Sequence, residues 1–363
     1  MKKKVLFVVG SELANAGVPN VIMQIVRRLH DDFTFDVVVA NSTAGYYDEE
    51  FKSYGGNIFV VPQVHSSGKL GFLKKARQIF DTVFSVLKAS KYDVVHCNAG
   101  IENGLALKAA YKCGVPIRIS HGHGTYINKG KNFIARAYKD VCMRMGIKYS
   151  THRLACSSIS GQTLFLGRDF ENVLNPIDLE YYSKISKQPH DEIRLVQIGY
   201  YNWLKNQLFS LKVLDHILSK NSKATLEFVG YDTKTGYMEK VQQYINDNEL
   251  SDFVRMLPSN YDKSELFSTA DFLLLPSKSE GLPLVALEAQ ASNVFCLASD
   301  RVSYDVDMGL FTTMSISTDE DACKWGEWIL ENVNHSATLN NEKIKNVDIN
   351  VYVSKITRIY GGM

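Results

Sequence analysis

The sequence predicts an α/β protein of two Rossmann-like, doubly wound parallel-sheet domains facing a cleft. Three observations carry this reading. Short apolar runs rich in Val, Ile, Leu and Phe alternate with stretches whose apolar residues recur at helical spacing. Unbroken apolar strands separated by helices belong to parallel sheets covered on both faces. The alternation also stops once and begins again, in a chain of 363 residues, beyond the roughly 250–300 residues at which a single core stops growing.

The elements follow in order. Val5–Val9 reads as a buried strand, and Val21, Ile22, Ile25, Val26 and Leu29 share one face of a helix. Phe35–Ala40, Ile58–Val61, Asp93–His96 and Ile117–Ser120 read as four more strands. Asn175-Pro176 and Gln188-Pro189 then break regular structure. Beyond them Arg194–Ile198 ends in Gly199, Leu208–Leu218 is an amphipathic helix, Thr225–Val229 ends in Gly230, and Met238–Asn248 is helical. Phe253–Leu257 and Phe272–Leu275 are strands closed by Pro258 and Pro276, Leu284–Ala291 is helical, and Val294–Ala298 returns to strand. The first domain is thus expected over 1–180 and the second over 181–349, with the segment from about 350 to 363, helix or strand, able to pack back on the first.

Composition sets limits. Apolar residues are 45% and charged residues 22%, ordinary for a soluble globular chain. Residues 1–180 carry 23 Lys and Arg against 15 Asp and Glu, a net +8, and residues 181–363 carry 18 against 24, a net −6. A basic first half suits an anionic partner; an unevenly solvated surface would give the same count. No nucleic-acid partner is expected. Cys97, Cys113, Cys142, Cys156, Cys296 and Cys323 form no C-x-x-C pair and read as reduced, mostly buried small residues. The apolar run after Met1-Lys2-Lys3-Lys4 ends at Gly10, too short for a secretion signal. No run reaches the ~20 apolar residues of a membrane span. A cytoplasmic protein, at most peripheral at the inner membrane face, is expected.

Ligands of open α/β sheets bind beyond the carboxyl ends of strands, so the loops there are the candidates. The first, Gly10 to Asn20, lacks G-x-G-x-x-G, which argues against a dinucleotide enzyme. It does bring small residues, Ala16 and Gly17 among them, to a helix start, where backbone N–H groups favour phosphate. His121-Gly122-His123-Gly124-Thr125 follows a strand. Either histidine can meet a ligand, hold a metal, or be structural, and no further ligands stand at metal spacing. Residues 129–153 hold Lys129, Lys131, Arg136, Lys139, Arg144, Lys148 and Arg153 against Asp140, with Phe133, Ala137, Tyr138, Val141 and Met145 as an apolar stripe. Such a helix can lie on anionic membrane, or pack on its own sheet with a solvated basic face. Lys205, six positions after Gly199, can reach a diphosphate as a point charge. Pro276-Ser277-Lys278-Ser279-Glu280-Gly281-Leu282-Pro283 runs from a strand into a helix bearing Glu288. Carboxylates suit sugar hydroxyls because they accept two hydrogen bonds. Asp305-Val306-Asp307 has the form of a metal-binding D-x-D, a pattern that chance produces often.

In that context the span from Glu280 to Glu288 resembles the E-x7-E motif of retaining GT-B glycosyltransferases of the family-4 type. Other pieces fall in the family's order: Ala16-Gly17 resembles its first-loop Gly-Gly, His121-Gly122-His123 the histidine segment of capsule and exopolysaccharide members, and Cys156-Ser157 the serine before the crossover. Asn175-Pro176-Ile177-Asp178 resembles its linker, Gly199 to Lys205 its G-R-x-x-x-x-K, and Ala298-Ser299-Asp300 its strand-end Ser-Asp. The chain departs at Tyr200, where the family carries Arg, at Ala16, where it carries Gly, and at Asn20, where many members carry Glu.

The resemblance implies a transferase acting on a nucleotide-diphosphate sugar, a UDP-sugar, with no cofactor and no metal. Glu288 would hold ribose. Gly199, Tyr200, Lys205 and the segment Gly281-Leu282-Pro283 would line the donor, with Lys205 neutralising the leaving diphosphate and Glu280 orienting the sugar. His121, with Glu280 and Lys205, would be catalytic, and a saccharide or lipid-linked acceptor would lie near Ala16, Gly17, His121 and His123. A pseudo-transferase supporting a partner enzyme and a sugar-nucleotide epimerase are the alternatives.

Overall fold

The computed structural model describes residues 2–41, 43–62, 71–124, 126, 133–334 and 338–362. The chain divides into two compact units, Met1–Pro176 with Ile349–Met363, and Ile177–Asp348. The division falls at Pro176, within the break that proline imposes, rather than at 180.

The first unit holds seven strands: β1 Lys3–Val9, β2 Phe33–Val39, β3 Ile58–Val60, β4 Val94–Asn98, β5 Ile117–Gly122, β6 His152–Ala155 and β7 Glu171–Asn172. Their order is β3-β2-β1-β4-β5-β6-β7, every pairing parallel. The second unit holds six: β8 Ile193–Ile198, β9 Ala224–Gly230, β10 Val254–Pro258, β11 Phe272–Leu275, β12 Phe295–Ser299 and β13 Phe311–Met314, in the order β10-β9-β8-β11-β12-β13, again all parallel. Each unit is thus doubly wound, with strands fully buried at its centre: β4 and β11 expose no residue. β6, β7 and β13 were not expected. The first two are short and begin on polar residues, and β13 is four residues interrupted by two threonines, so none shows a long apolar run.

Helices cover the sheets. Gly17–Leu29 buries Val21, Ile22, Ile25, Val26 and Leu29, the face read from the sequence. Asn103–Lys112 and Phe133–Tyr149 cross at glycines. A Cβ on Gly104 would stand 2.1 Å from the carbonyl oxygen of Cys142, so only glycine allows the approach. That crossing turns Cys142, Met143 and Gly146 inward. The stripe expected to face the core is therefore split. Tyr138 and Met145 pack at the core edge, while Phe133 and Val141 lie outside it, 76% and 55% exposed. Lys129 and Lys131 of the same segment lie outside the described residues.

The C-terminal helix Ile349–Gly361 belongs to the first unit. It buries Tyr352, Ile356, Ile359 and Tyr360. Lys3 Nζ caps its end, reaching the carbonyls of Tyr360 at 3.1 Å and Gly361 at 2.8 Å, where a cation complements the helix dipole.

Candidate active site

In both sheets the strand order reverses at one place, between β1 and β4 and between β8 and β11. Ligands of such sheets bind beyond the carboxyl ends of the strands at this switch point. In the second unit the loop after β8, 199–206, and the loop after β11, 276–283, flank it.

These two loops are sewn together. Lys278 N donates to Leu204 O at 2.8 Å, and Asn206 Nδ2 donates to Pro276 O at 3.2 Å. Lys205 is fixed along its length: its N donates to Asn202 Oδ1 at 2.9 Å and its carbonyl accepts from Gln197 Nε2 at 2.7 Å. Its side chain passes over Gly199, where φ is +154° and a Cβ would come within 3.2 Å of Cδ and Cε. Gly230 in turn leaves room for Gly199, whose carbonyl oxygen would lie 2.2 Å from a Cβ there. Lys205 Nζ then meets Glu280 Oε1 at 2.5 Å, both side chains being about 15% exposed. Burial pulls the Lys205 pKa down, but the charge and hydrogen bond of Glu280, with the phenols of Tyr200 and Tyr231, outweigh it and hold the ammonium above its ordinary range.

Tyr200 stands where the family motif has Arg. Its ring lies 5.6 Å from Lys205 Nζ and 5.8 Å from the ring of Tyr231, so this position offers the lysine an aromatic face and no second cation. Gly281 and Leu282 lead to Pro283, the N-cap of Leu284–Ala291, and Leu282 is buried. Glu288, in the middle of that helix, is also buried, and its Oε2 meets Lys263 Nζ at 2.6 Å. Tyr182 hydrogen-bonds the same carboxylate; burial first and Glu288 second raise its pKa, so the phenol keeps its proton. The structure thus gathers Gly199, Tyr200, Lys205 and Glu280, and gives Glu288 a separate cation.

Two supporting residues were missed in the sequence. Gln290 Nε2 donates to Ala286 O and Val306 O, and its Oε1 accepts from Met308 N and Leu310 N, pinning the segment after β12 to the helix of Glu288. Lys263, the partner of Glu288, stands on a short helix that the sequence reading did not assign. Neither has a local signal, since each acts on residues distant in sequence.

In the first unit the switch point opens into a pocket of about 410 Å³ beside Gly10, Ser11, Asn98 and Gly100. Ala16 is the N-cap of Gly17–Leu29, without a side-chain hydrogen bond of its own. A Cβ on Gly17 would meet nothing within 4 Å, so packing within the chain does not demand glycine there.

The histidines form a chain. His96 Nδ1 lies 2.8 Å from Tyr360 Oη, and His96 Nε2 lies 3.1 Å from His121 Nδ1. The ring of His123 packs 4.1 Å from that of His121 and bridges Asn98 Oδ1 at 2.8 Å and the side chain of Asn175 at 3.1 Å. Burial drives all three pKa values down, to about 3 for His96, to about 4 for His123, and well below the ordinary value for His121. The imidazoles are neutral at physiological pH. Asn98 Nδ2 donates to His96 O at 3.1 Å, and the two ring nitrogens of His123 face amide oxygens, Nε2 that of Asn98 and Nδ1 that of Asn175.

Among the described residues no three His, Cys, Asp or Glu side chains converge as metal ligands do. Asp305 pairs with Ser303 Oγ at 3.0 Å, and Asp307 binds Gly309 N and Lys343 Nζ at 2.8 and 2.9 Å. Both carboxylates are engaged within the chain, and Asp307 ties its loop to the helix Asn341–Lys345.

Residues 180–306 match the family Glycosyl transferases group 1. The second unit carries a group 1 glycosyl transferase domain. Lys205, Glu280 and Glu288 all fall inside the match, and His121 and His123 lie outside it. The chain is 29% identical over 344 residues, 90% of this chain and 87% of the other, to the Bacillus subtilis (strain 168) protein named "Putative glycosyltransferase EpsF". It is 24% identical over 345 residues, 93% of both chains, to the capsular polysaccharide biosynthesis glycosyltransferase CapH of Staphylococcus aureus. The fold is GT-B: the crystal structure of Anabaena HepE in complex with UDP and glucose superposes with a TM-score of 0.77 at 15% identity, over 99% of this chain and 100% of that one. Among the described residues no helix is long and apolar enough to cross a membrane.

Proposed function

We propose that this glycosyltransferase moves a sugar, with retention, from a nucleotide-diphosphate donor, a UDP-sugar, to a saccharide or lipid-linked saccharide in surface polysaccharide assembly. The carrying observation is the Lys205–Glu280 pair, held by two loops at a sheet switch point beside the helix of Glu288. Lys205 meets the diphosphate, which competes with Glu280 for the ammonium, and the released carboxylate accepts hydroxyls of the sugar. Glu288, oriented by Lys263 and Tyr182, accepts the ribose hydroxyls. The bond from the anomeric carbon to the diphosphate oxygen breaks, the bond to the acceptor oxygen forms on the same face, and the acceptor proton passes to the leaving phosphate. The protein supplies positioning and charge, and Lys205 provides that charge without a metal.

The names of EpsF and CapH support the reaction class and the capsular product, and the ligands of HepE support the UDP donor. The exposed Phe133, Ile134 and Val141 next to Arg136, Arg144 and Lys148 support contact with an anionic membrane surface, where lipid-linked acceptors reside.

A thermal-shift screen of nucleotide sugars tests the reading. A true donor at 100 times its dissociation constant stabilises by about 2.7 kcal/mol. Equal response to every nucleotide, or none to any, contradicts it.

A further inference from the structure

We infer that Tyr360 is a positioning residue for His121: through His96 its hydroxyl fixes the tautomer in which His121 offers Nε2–H as a hydrogen-bond donor. The inference rests on the proposed function for its kinetic arm only.

The chain of contacts is short and fully buried. Tyr360 Oη lies 2.8 Å from His96 Nδ1, and His96 Nε2 lies 3.1 Å from His121 Nδ1. The two imidazoles are stacked, 5.3 Å apart and 8° from parallel. Tyr360, His96 and His121 are each 0% exposed. His121 Nε2 has no hydrogen-bond partner among the described residues.

Two proton orders are open to neutral rings. In one, Tyr360 donates to His96 Nδ1, His96 Nε2–H donates to His121 Nδ1, and His121 carries its proton on Nε2. In the other, His121 donates to His96 and His96 to Tyr360, which leaves the phenolic hydrogen and the His121 Nε2 lone pair both without partners in the interior. A phenol is a better donor than acceptor, and a buried polar group without a partner is costly. The first order leaves one group open and the second leaves two, so the first prevails. His121 Nε2 is then a donor and not a base. The residue that imposes this stands on the C-terminal helix, 239 positions further along the chain.

The test is a long-range proton–nitrogen correlation spectrum of the full-length protein labelled with 15N histidine, with His121 assigned by its loss in His121→Asn. Wild type is expected to show His121 protonated on Nε2. Tyr360→Phe is expected to mix the two tautomers and to lower kcat about tenfold at unchanged KM for the donor, the size of one neutral hydrogen bond. His96→Gln, whose amide accepts from Tyr360 and donates to His121, is expected to keep the wild-type tautomer, and His96→Leu to lose it. This pair decides the matter if Tyr360→Phe does not fold. His121 protonated on Nδ1 in wild type, or an unchanged tautomer in Tyr360→Phe, overturns the inference. The predicted tautomers in a protein that transfers no sugar support the relay and overturn the proposed function instead.

Discussion

Lys205 Nζ and Glu280 Oε1 stand 2.5 Å apart, although 75 residues separate them in the chain and each belongs to a different loop. The pair joins the loops that follow the two strands flanking the sheet's switch point. Under the proposed function a diphosphate that takes the lysine displaces the carboxylate, which would make binding of the leaving group and release of a sugar-binding group one event.

That coupling predicts the kinetics of a double-mutant cycle. Lys205→Ala and Glu280→Ala are each expected to lower turnover about 10²–10³-fold. Each also leaves its partner charged and little exposed, so the double variant should melt higher than the sum of the single effects requires. Strict additivity in melting temperature would show that the pair does not hold the loops.

Glu288→Gln keeps the side chain's volume and removes the charge facing Lys263. Nucleotide affinity is expected to fall about tenfold, the worth of about one hydrogen bond to a charged group. Calorimetry with UDP checks it, and unchanged affinity would remove Glu288 from the site.

Two glycines should respond oppositely to alanine. Gly230→Ala puts a Cβ 2.2 Å from the Gly199 carbonyl oxygen. It is expected to destabilise by about 1–3 kcal/mol, as overpacking does, and to impair transfer by moving the loop under Lys205. Gly17→Ala meets nothing within 4 Å and should leave the melting temperature unchanged while weakening acceptor binding. Denaturation and KM measurements separate the two.

Acid should unfold the first unit by a histidine mechanism. The folded pKa values of His96 and His123, about 3 and about 4, lie below the ordinary 6.5, as does that of His121. Above pH 6.5 the stabilisation is complete. Below it the unfolded chain takes up protons that the folded chain refuses, so stability falls as pH drops toward 4. The slope is about 1.4 kcal/mol per pH unit for each histidine. Denaturant melts from pH 7 to 4 measure it; a flat profile would contradict neutral buried imidazoles.

The exposed side of Phe133–Tyr149 predicts sedimentation with anionic vesicles that weakens with salt. Phe133→Ser with Val141→Ser should reduce it about a hundredfold or more, since each buried apolar side chain contributes about 1.5–3 kcal/mol. Equal binding to neutral vesicles would argue against a basic surface acting through charge.

Much of the fold was legible in the sequence because unbroken apolar runs such as Val5–Val9 and Phe272–Leu275 alternate with helical spacing, as in a covered parallel sheet. β6, β7 and β13 were not legible, since strands at or next to a sheet edge need little apolar length. The candidate site was legible where loop and function share a segment, as from Glu280 to Glu288. It was not where the function is assembled across the chain. Lys263 meets Glu288, Gln290 pins the loop after β12, and Tyr360 reaches His96 across 264 positions, and none of these leaves a periodicity or a spacing. The apolar stripe from Phe133 to Met145 misled for a related reason: the glycine crossing at Gly104 and Gly146, not the stripe itself, decides which side of the helix faces in.

Calorimetric titration of UDP into wild type and into Lys205→Ala shows whether the lysine holds the diphosphate. One saturable site in wild type, weakened at least tenfold in a folded Lys205→Ala protein, is the predicted result. Equal affinity in both proteins would place the diphosphate elsewhere and contradict the account.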